Sequence, residues 1–391
     1  MYQNRLSLQG NLAAGLSAGH GRVIIVCPGG LEDGGGIGRQ MGYFLRAIEA
    51  GGSPATYRVV DSRGPWFLGA ARIKSILSVA YLLGCLVRLL AARFSRVPVL
   101  AHINITGRGS TLRKMVLVAA ARATGLRYLL HVHDYDYAAD YFGRRKSLQS
   151  VVRWMFQGAE RVIVLGARDK MKLETELHLS PSRVVVLHNA VPDPRLQHKD
   201  APGRTAGGPV RLLFLGYLSE RKGVPELLAA LGSDRLKHLN WHATLAGGGD
   251  SGTYRDMAVR NGIADRVAFP GWIDRPGVDA ACAAADILVL PSHAEGLAMS
   301  VLEGLAHGMA VVTTPVGAHT EVIENDISGL LVPPGDAKAL AECLGLVIED
   351  RDLRARLQQG ARRRFEEKFE VTAYATRLSA LHASLLADVG N

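Results

Sequence analysis

The chain has 391 residues, which as a prior points to two domains of roughly 150–200 residues each. With 48% apolar and 21% charged residues it is globular, so disordered, collagen-like and coiled-coil classes are excluded. The net charge of +10 is unevenly placed: residues 1–205 hold 28 Lys+Arg against 13 Asp+Glu (+15), and residues 206–391 hold 18 against 23 (−5). A basic half beside a weakly acidic one suits an anionic partner such as nucleic acid, a membrane surface or a phosphorylated substrate; a solvated basic face gives the same arithmetic. Cys27, Cys85, Cys282 and Cys343 stand far apart without CxxC spacing, so neither a disulfide framework nor a zinc site is expected. A reducing cytoplasm fits that pattern, and the first 21 residues hold no apolar stretch of signal-peptide length.

The chain opens on a continuous apolar strand, Val23–Val26, followed by the glycine-rich turn Gly29–Gly38 and an amphipathic stretch, Gln40–Ala50. Further strands are expected at Thr56–Val60, Val99–His102, Tyr128–His133, Arg161–Leu165 and Val184–Leu187, with helical patterns between them. Pro192–Pro209, rich in proline, glycine and charge, reads as a linker. The opening layout then repeats: strand Val210–Gly216, tight turn Tyr217–Gly223, helix Pro225–Leu231. Strands follow at Trp241–Ala246, Val267–Phe269, Ile287–Leu290, Ala310–Thr313 and Gly329–Val332, and a long charged helix runs from about Arg351 to Ala387. This rhythm defines an α/β protein with two Rossmann-like parallel-sheet domains facing a cleft. The expected division is 1–200, 201–365, and a C-terminal helix, 366–391, packing across both domains.

The apolar run Ile76–Ala92 is broken by Arg88, which leaves it shorter than the ~18 residues of a spanning helix. It is expected as a buried helix of the first domain. One exposed face, flanked by Arg72, Lys74, Arg88, Arg93 and Arg96, would let it dip into an anionic leaflet.

Two stretches carry chemistry. Gly34-Gly35-Gly36-Ile37-Gly38-Arg39 fails the dinucleotide fingerprint, because GxGxxG needs glycine where Arg39 or Met41 stands; no GxxxxGK[ST] occurs either. What remains is backbone able to approach a phosphate or sugar closely. The second stretch, Ala285–Glu321, runs from a buried strand through Pro291-Ser292 and Glu295-Gly296-Leu297-Ala298-Met299 into a helix carrying Glu303. The amides of Leu297, Ala298 and Met299 form a helix N-terminus suited to a phosphate. Glu295 before it can hold sugar hydroxyls, and Glu303 further along can hold ribose hydroxyls. The plain alternative makes Glu295 a helix-entry residue and Glu303 a solvated face, but Val301, Leu302 and Leu305 around Glu303 argue against solvation.

The pattern PSxxEG-x6-E, followed by G-x-AVV and P-V-G-x-x-x-E, resembles the E-x7-E signature of retaining nucleotide-sugar glycosyltransferases of family 4, which have the GT-B fold. The likeness extends to Leu213–Gly216, Arg221-Lys222-Gly223, Leu245–Gly249 and Phe269–Trp272, and in the first half to Gly34–Arg39, Leu130–Asp134 and Leu187–Val191. It implies that the first domain binds an acceptor and the second a nucleotide-sugar donor. Arg221 and Lys222 would neutralise the departing diphosphate, Glu295 would face the reacting sugar and Glu303 would grip the ribose. Gly35, Gly36 and Ile37 would lie under the donor, whose other contacts would be Gly216, Trp272, Ile273, Gly296, Leu297, Ala298 and Met299. His133 would contact the donor sugar, with His131, two positions earlier on the same strand face, as its competitor. Two departures stand out: Tyr217 replaces the family's arginine after Gly216, and Ala318 replaces a second glycine after Gly317.

The expected function is a cytoplasmic, metal-independent, retaining glycosyltransferase that needs no cofactor beyond its UDP- or GDP-sugar substrate. Its acceptor is expected to be a glycan, lipid-linked through polyprenyl diphosphate or soluble, in bacterial exopolysaccharide or lipopolysaccharide assembly. An anionic membrane surface is a further expected partner, with the enzyme peripheral on the inner face; nucleic acid is not. A sugar-nucleotide epimerase of the same architecture is the rival enzyme. A basic lipid- or nucleic-acid-binding module would leave Glu295, Glu303 and Lys222 unexplained. An oxidoreductase with Asp61 as ribose acid fails on glycine spacing.

Overall fold

A computed structural model describes residues 21–31, 35–53, 55–64, 71–197 and 207–387. Gly34 of the glycine loop, residues 198–206 of the expected linker and residues 388–391 lie outside them. The chain divides into two compact units, Met1–His188 with Val371–Asn391, and Asn189–Glu370.

The first unit is built on a parallel sheet of β1 (Arg22–Cys27), β2 (Thr56–Asp61), β3 (Val99–Ile105), β4 (Arg127–Val132), β5 (Val162–Val164) and β6 (Val184–Val186), in the order β2-β1-β3-β4-β5-β6. Parallel neighbours need crossover connections, and the helices Gly35–Gly51, Ala71–Ala91 and Gly109–Ala123 supply the first three. Central strands covered on both faces read as nearly continuous apolar runs, as in the unbroken burial of Val23–Cys27. The core joins Ile24, Ile103, Leu117, Leu130, Val152 and Phe156.

The second unit repeats the plan with β7 (Val210–Leu215), β8 (Trp241–Ala246), β9 (Val267–Gly271), β10 (Ile287–Leu290), β11 (Ala310–Thr313) and β12 (Leu330–Leu331), in the order β12-β11-β10-β7-β8-β9. Pro270 is tolerated because β9 is an edge strand. The chain starts at β7, moves out to β9 and returns to the other side of β7 as β10. The switch point, where open α/β sheets hold ligands, therefore lies between the carboxyl ends of β7 and β10.

Each expected strand forms, with its ends shifted by a few residues at most. Two expectations are corrected. The single helix over 351–387 is two helices, Arg351–Lys368 in the second unit and Val371–Ala387 in the first. The break falls at Phe369, whose φ of −122° leaves the helical range; its side chain is buried and its carbonyl accepts the Val191 amide at 3.1 Å. The helix around Ile76–Ala92 is not buried. Of the window Leu77–Phe94 only 11% lies inside, and by length and composition it could span a membrane (mean hydropathy 1.7). Cys85 and Leu89 reach the core, while Val79, Leu83, Val87, Leu90 and Phe94, spaced 4, 4, 3 and 4 apart, form one exposed stripe.

The helix Val371–Ala387 is tied into the first unit by a buried chain of neutral groups. The Tyr57 hydroxyl meets His382 Nδ1 at 3.1 Å, His382 Nε2 meets His102 Nδ1 at 3.0 Å, and His102 Nε2 meets His131 Nδ1 at 3.2 Å. Burial holds His102 and His131 well below the ordinary imidazole range and pushes His382 down to about 3.

Candidate functional site

In the second unit, the chain leaving β7 makes a short 3-10 turn, Glu220–Lys222, before the helix Val224–Leu231. Gly223 closes that turn at φ 71°, and a Cβ there would collide with the Pro291 carbonyl. Only glycine lets the turn lie against the loop leaving β10. The His293 amide donates to the Arg221 carbonyl at 2.8 Å and fastens the two segments. Gly317, at φ 56°, lies equally close to the carbonyls of Glu295 and Gly296, and the Ala318 amide bonds Gly296 at 2.8 Å. Ala318 thus keeps this turn against the loop despite replacing a second glycine.

Arg221, Lys222 and Glu295 meet inside this frame. Lys222 Nζ lies 2.6 Å and Arg221 Nη1 3.0 Å from the same Glu295 oxygen, Oε1, and Arg221 also donates to the Ala294 carbonyl at 2.6 Å. Glu295 is buried. Two cations on one buried carboxylate leave a net positive charge at the switch point, where the diphosphate of a ligand could replace the carboxylate as their partner.

The helix Met299–Ala306 begins just beyond, and its first amides are not all free. The Ala298 N–H donates to His319 Nε2 at 3.4 Å, while Nδ1 of that ring faces the Thr314 carbonyl at 3.1 Å. Burial pushes His319 down to about 4, so it is neutral, with Nδ1 donating and Nε2 accepting. The amides of Leu297 and Met299 have no partner among the described residues.

Glu303, one further turn along, is 2% exposed and held by Arg275, whose Nη1 lies 2.7 Å from Oε1. Arg275 also pairs with Asp279 at 2.5 Å. Arg275, Asp279 and His319 were not singled out from the sequence. A signal existed for the first two, since an arginine at a helix start facing an acid four residues on marks a fixed ion pair. Trp272 and Ile273 follow β9 on the same carboxyl edge, Trp272 with 76% of its surface exposed. Gly216 follows β7, with Lys222 close by, and Tyr217 beyond it is exposed.

In the first unit, Gly35, Gly36 and Ile37 open the helix Gly35–Gly51, with Gly35 at φ 60°. The structure separates the two histidine candidates. His131 is a core residue within the Tyr57–His102 chain, whereas His133 lies half-buried just past β4 and bonds Asn104 through Nε2 at 2.8 Å. Asp134 does not touch His133: its Oδ2 accepts the Gly107 amide and its Oδ1 the Asp136 amide. Among the described residues, no three or more His, Cys, Asp or Glu side chains are grouped to hold a metal ion.

Comparison with known proteins follows the same division. Residues 198–364 match the family described as glycosyl transferases group 1. The glycogen synthase of Mycobacterium tuberculosis is 27% identical over 238 residues, 61% of this chain; the chain spans little more than half of that relative, 57%. Among solved structures, the sucrose-phosphate synthase of Thermosynechococcus elongatus superposes with TM-score 0.74 at 20% identity, covering 94% of this chain and 99% of that one. Anabaena HepE in complex with UDP-glucose gives 0.68 at 17% identity, covering 93% and 99%. These likenesses extend the two-sheet architecture over nearly the whole chain, beyond the matched domain. The chain is accordingly a GT-B-fold protein related to the family 4 nucleotide-sugar glycosyltransferases.

Proposed function

We propose that the chain is a retaining, metal-independent glycosyltransferase that takes its sugar from a nucleoside diphosphate sugar, with UDP-sugars preferred. The observation that carries this reading is the convergence of Lys222 and Arg221 on buried Glu295, beside the amides of Leu297 and Met299. That set supplies cations and dipoles where a diphosphate leaves, and a carboxylate where positive charge develops on the sugar. HepE, which shares the fold, is solved with UDP-glucose, and this supports the uridine nucleotide.

In the proposed reaction the bond from the anomeric carbon to the β-phosphate oxygen breaks, and a bond to the acceptor oxygen forms on the same face. The acceptor hydroxyl proton passes to the leaving phosphate, so no histidine need serve as base. Lys222 and Arg221 take up the charge on the diphosphate, Glu295 faces the sugar and Glu303 holds the ribose. Gly35, Gly36, Ile37 and His133 belong to the contacts of the first unit. The proposed acceptor is a polyprenyl-diphosphate-linked glycan at the inner face of the cell membrane, in polysaccharide assembly. The surplus of +15 and the exposed stripe Val79–Phe94 support it.

A thermal-shift panel of UDP-, GDP- and ADP-glucose tests the donor. At 100 times its Kd a ligand stabilises by about 2.7 kcal/mol, a resolvable shift. The anomeric configuration of the product, read by NMR, tests retention. No stabilisation by any sugar nucleotide, or an inverted product, would overturn the corresponding half of the proposal.

A further inference from the structure

Asn104 is fully buried on β3 and makes two side-chain bonds of opposite sense. Its Nδ2 donates to the Val26 carbonyl on β1 at 3.1 Å, and its Oδ1 faces His133 Nε2 at 2.8 Å. The Val26 carbonyl can only accept, so the amide cannot be turned round without setting two oxygens against each other. The oxygen must face His133, and Nε2 of His133 must therefore carry the proton. Nδ1 is left as the ring's unprotonated nitrogen, with no partner among the described residues. The ring plane is fixed as well, because it stacks on His131 with centroids 4.1 Å apart and 32° between planes.

The partner is an amide although a carboxylate stands next in sequence. Asp134 is committed to the amides of Gly107 and Asp136. A carboxylate on Nε2 would stabilise an imidazolium, whereas an amide oxygen orients the ring and leaves it neutral. Burial acts in the same direction and pushes His133 down to about 3.

We infer that Asn104 is a positioning residue: it holds His133 as the Nε2–H tautomer, so that Nδ1 is presented as an acceptor for a sugar hydroxyl. The ligand part of this inference rests on the glycosyltransferase reading; the tautomer part does not. The hydroxyl belongs either to the donor sugar or to the acceptor, and the test distinguishes them.

Long-range proton–nitrogen NMR on histidine-labelled full-length protein at pH 7 is expected to show His133 protonated at Nε2 and bare at Nδ1. Asn104→Leu is expected to lose this single-tautomer signature. Asn104→Asp, similar in shape although it sets an oxygen against the Val26 carbonyl, is expected to protonate both nitrogens, with His131 and His102 the neighbouring titratable groups. A wild type protonated at Nδ1, or an Asp variant with unchanged nitrogen shifts, overturns the inference and leaves the proposed function standing. Calorimetry supplies the ligand arm, using whichever of UDP-, GDP- and ADP-glucose stabilises the wild type, against the bare nucleotide. Both variants are expected to bind the sugar nucleotide about tenfold more weakly and the nucleotide unchanged, the scale of one hydrogen bond. A loss seen only for octyl β-glucoside, with nucleotide present, supports the inference and assigns the hydroxyl to the acceptor. Unchanged affinity for both sugars overturns it. A wild type that binds no sugar nucleotide overturns the proposed function and the ligand part together, while the NMR result decides the tautomer part on its own.

Discussion

The two sheets carry different kinds of buried polar group. In the second unit they include carboxylates paired with cations nearer the surface: Glu295 with Lys222 and Arg221, and Asp279 and Glu303 with Arg275. In the first they are neutral and chained: Tyr57, His382, His102 and His131, with Asn104 holding His133 beside them. Each side has an exception: Lys114 in the first unit is buried against the Ser62 hydroxyl and pushed down to about 8 by that burial, and His319 in the second is buried and neutral. A buried ion pair can exchange one partner for a ligand of the same sign, which suits a site that must take up and release a diphosphate. A neutral chain can do neither, but it fixes ring orientations as long as no proton is added. The first unit is therefore built to position and the second to bind charge.

The largest expected effect breaks the charged side of this comparison. Lys222→Ala should lower turnover roughly a hundred- to a thousandfold, the scale of losing one preorganised charge partner at the reacting centre. Glu295→Gln should also slow turnover while leaving nucleotide affinity nearly unchanged. Steady-state kinetics with nucleotide titration separates the two effects. A loss of less than tenfold for Lys222→Ala would show that Arg221 alone carries the leaving group.

The neutral side is expected to fail with acid. Unfolded histidine titrates near 6.5, and His133 and His382 in the folded protein are pushed down to about 3. Below 6.5 the unfolded chain binds protons that the folded one refuses, so stability present above 6.5 is lost as pH falls toward 3. Each such histidine contributes a slope of about 1.4 kcal/mol per pH unit. His102 and His131 shift in the same direction, whereas among the histidines in the described part of the second unit only His319 has a resolved downward shift. Hydrogen exchange between pH 7 and 5, corrected for intrinsic rates, should show β1–β4 losing protection before β7–β11. Equal losses in both sheets would erase the distinction between the units.

Much of this was legible in the sequence because parallel strands announce themselves. Runs such as Val23–Val26 and Ile287–Leu290 are apolar at every position, and the glycines after them mark the turns. The spacing of Glu295 and Glu303 brought out the two acids, one before and one within the same helix, whereas Lys222 and Arg221 were legible only through the resemblance to family 4. The long-range polar pairings could not be read in this way. His382 and His102 are 280 positions apart, and whether a histidine is a core link or a site residue depends on such a partner. The break at Phe369 was hidden for the same reason: its carbonyl bonds Val191. The helix Ala71–Ala91 was misjudged because apolar composition reports that a surface avoids water, not what covers it.

A smaller effect tests whether Glu303 is held for a ligand or only for Arg275. Glu303→Ala should weaken UDP binding about tenfold if Glu303 holds the ribose as proposed, while Arg275 keeps Asp279. Arg275→Ala should instead lower the melting temperature, since it leaves two buried carboxylates without their cation. If Glu303→Ala binds UDP as tightly as wild type, the pair is structural and the ribose is held elsewhere.

The smallest effect per residue concerns the outer surface of the first unit. The exposed stripe of Val79, Leu83, Val87, Leu90 and Phe94 has Arg88, Arg93 and Arg96 on or just after the same helix, all exposed. An apolar face with basic neighbours suits the interface of an anionic bilayer, where each arginine contributes about 1 kcal/mol, roughly fivefold in affinity. The two contributions respond differently to salt. The Debye length falls from about 10 Å at 0.1 M to about 3 Å at 1 M, so the arginine part is screened while burial of Phe94 and Val87 is not. In flotation with phosphatidylglycerol vesicles, Arg93→Ala should therefore reduce binding about fivefold at low salt and leave binding at 1 M unchanged. Phe94→Ser, at a side chain 87% exposed, should reduce both. Neutral vesicles should bind the wild type weakly at every salt concentration, as the stripe alone holds it there. Equal binding to both lipids would remove the role of the arginines. No binding to either at low salt would mean that the basic half serves a phosphorylated acceptor alone.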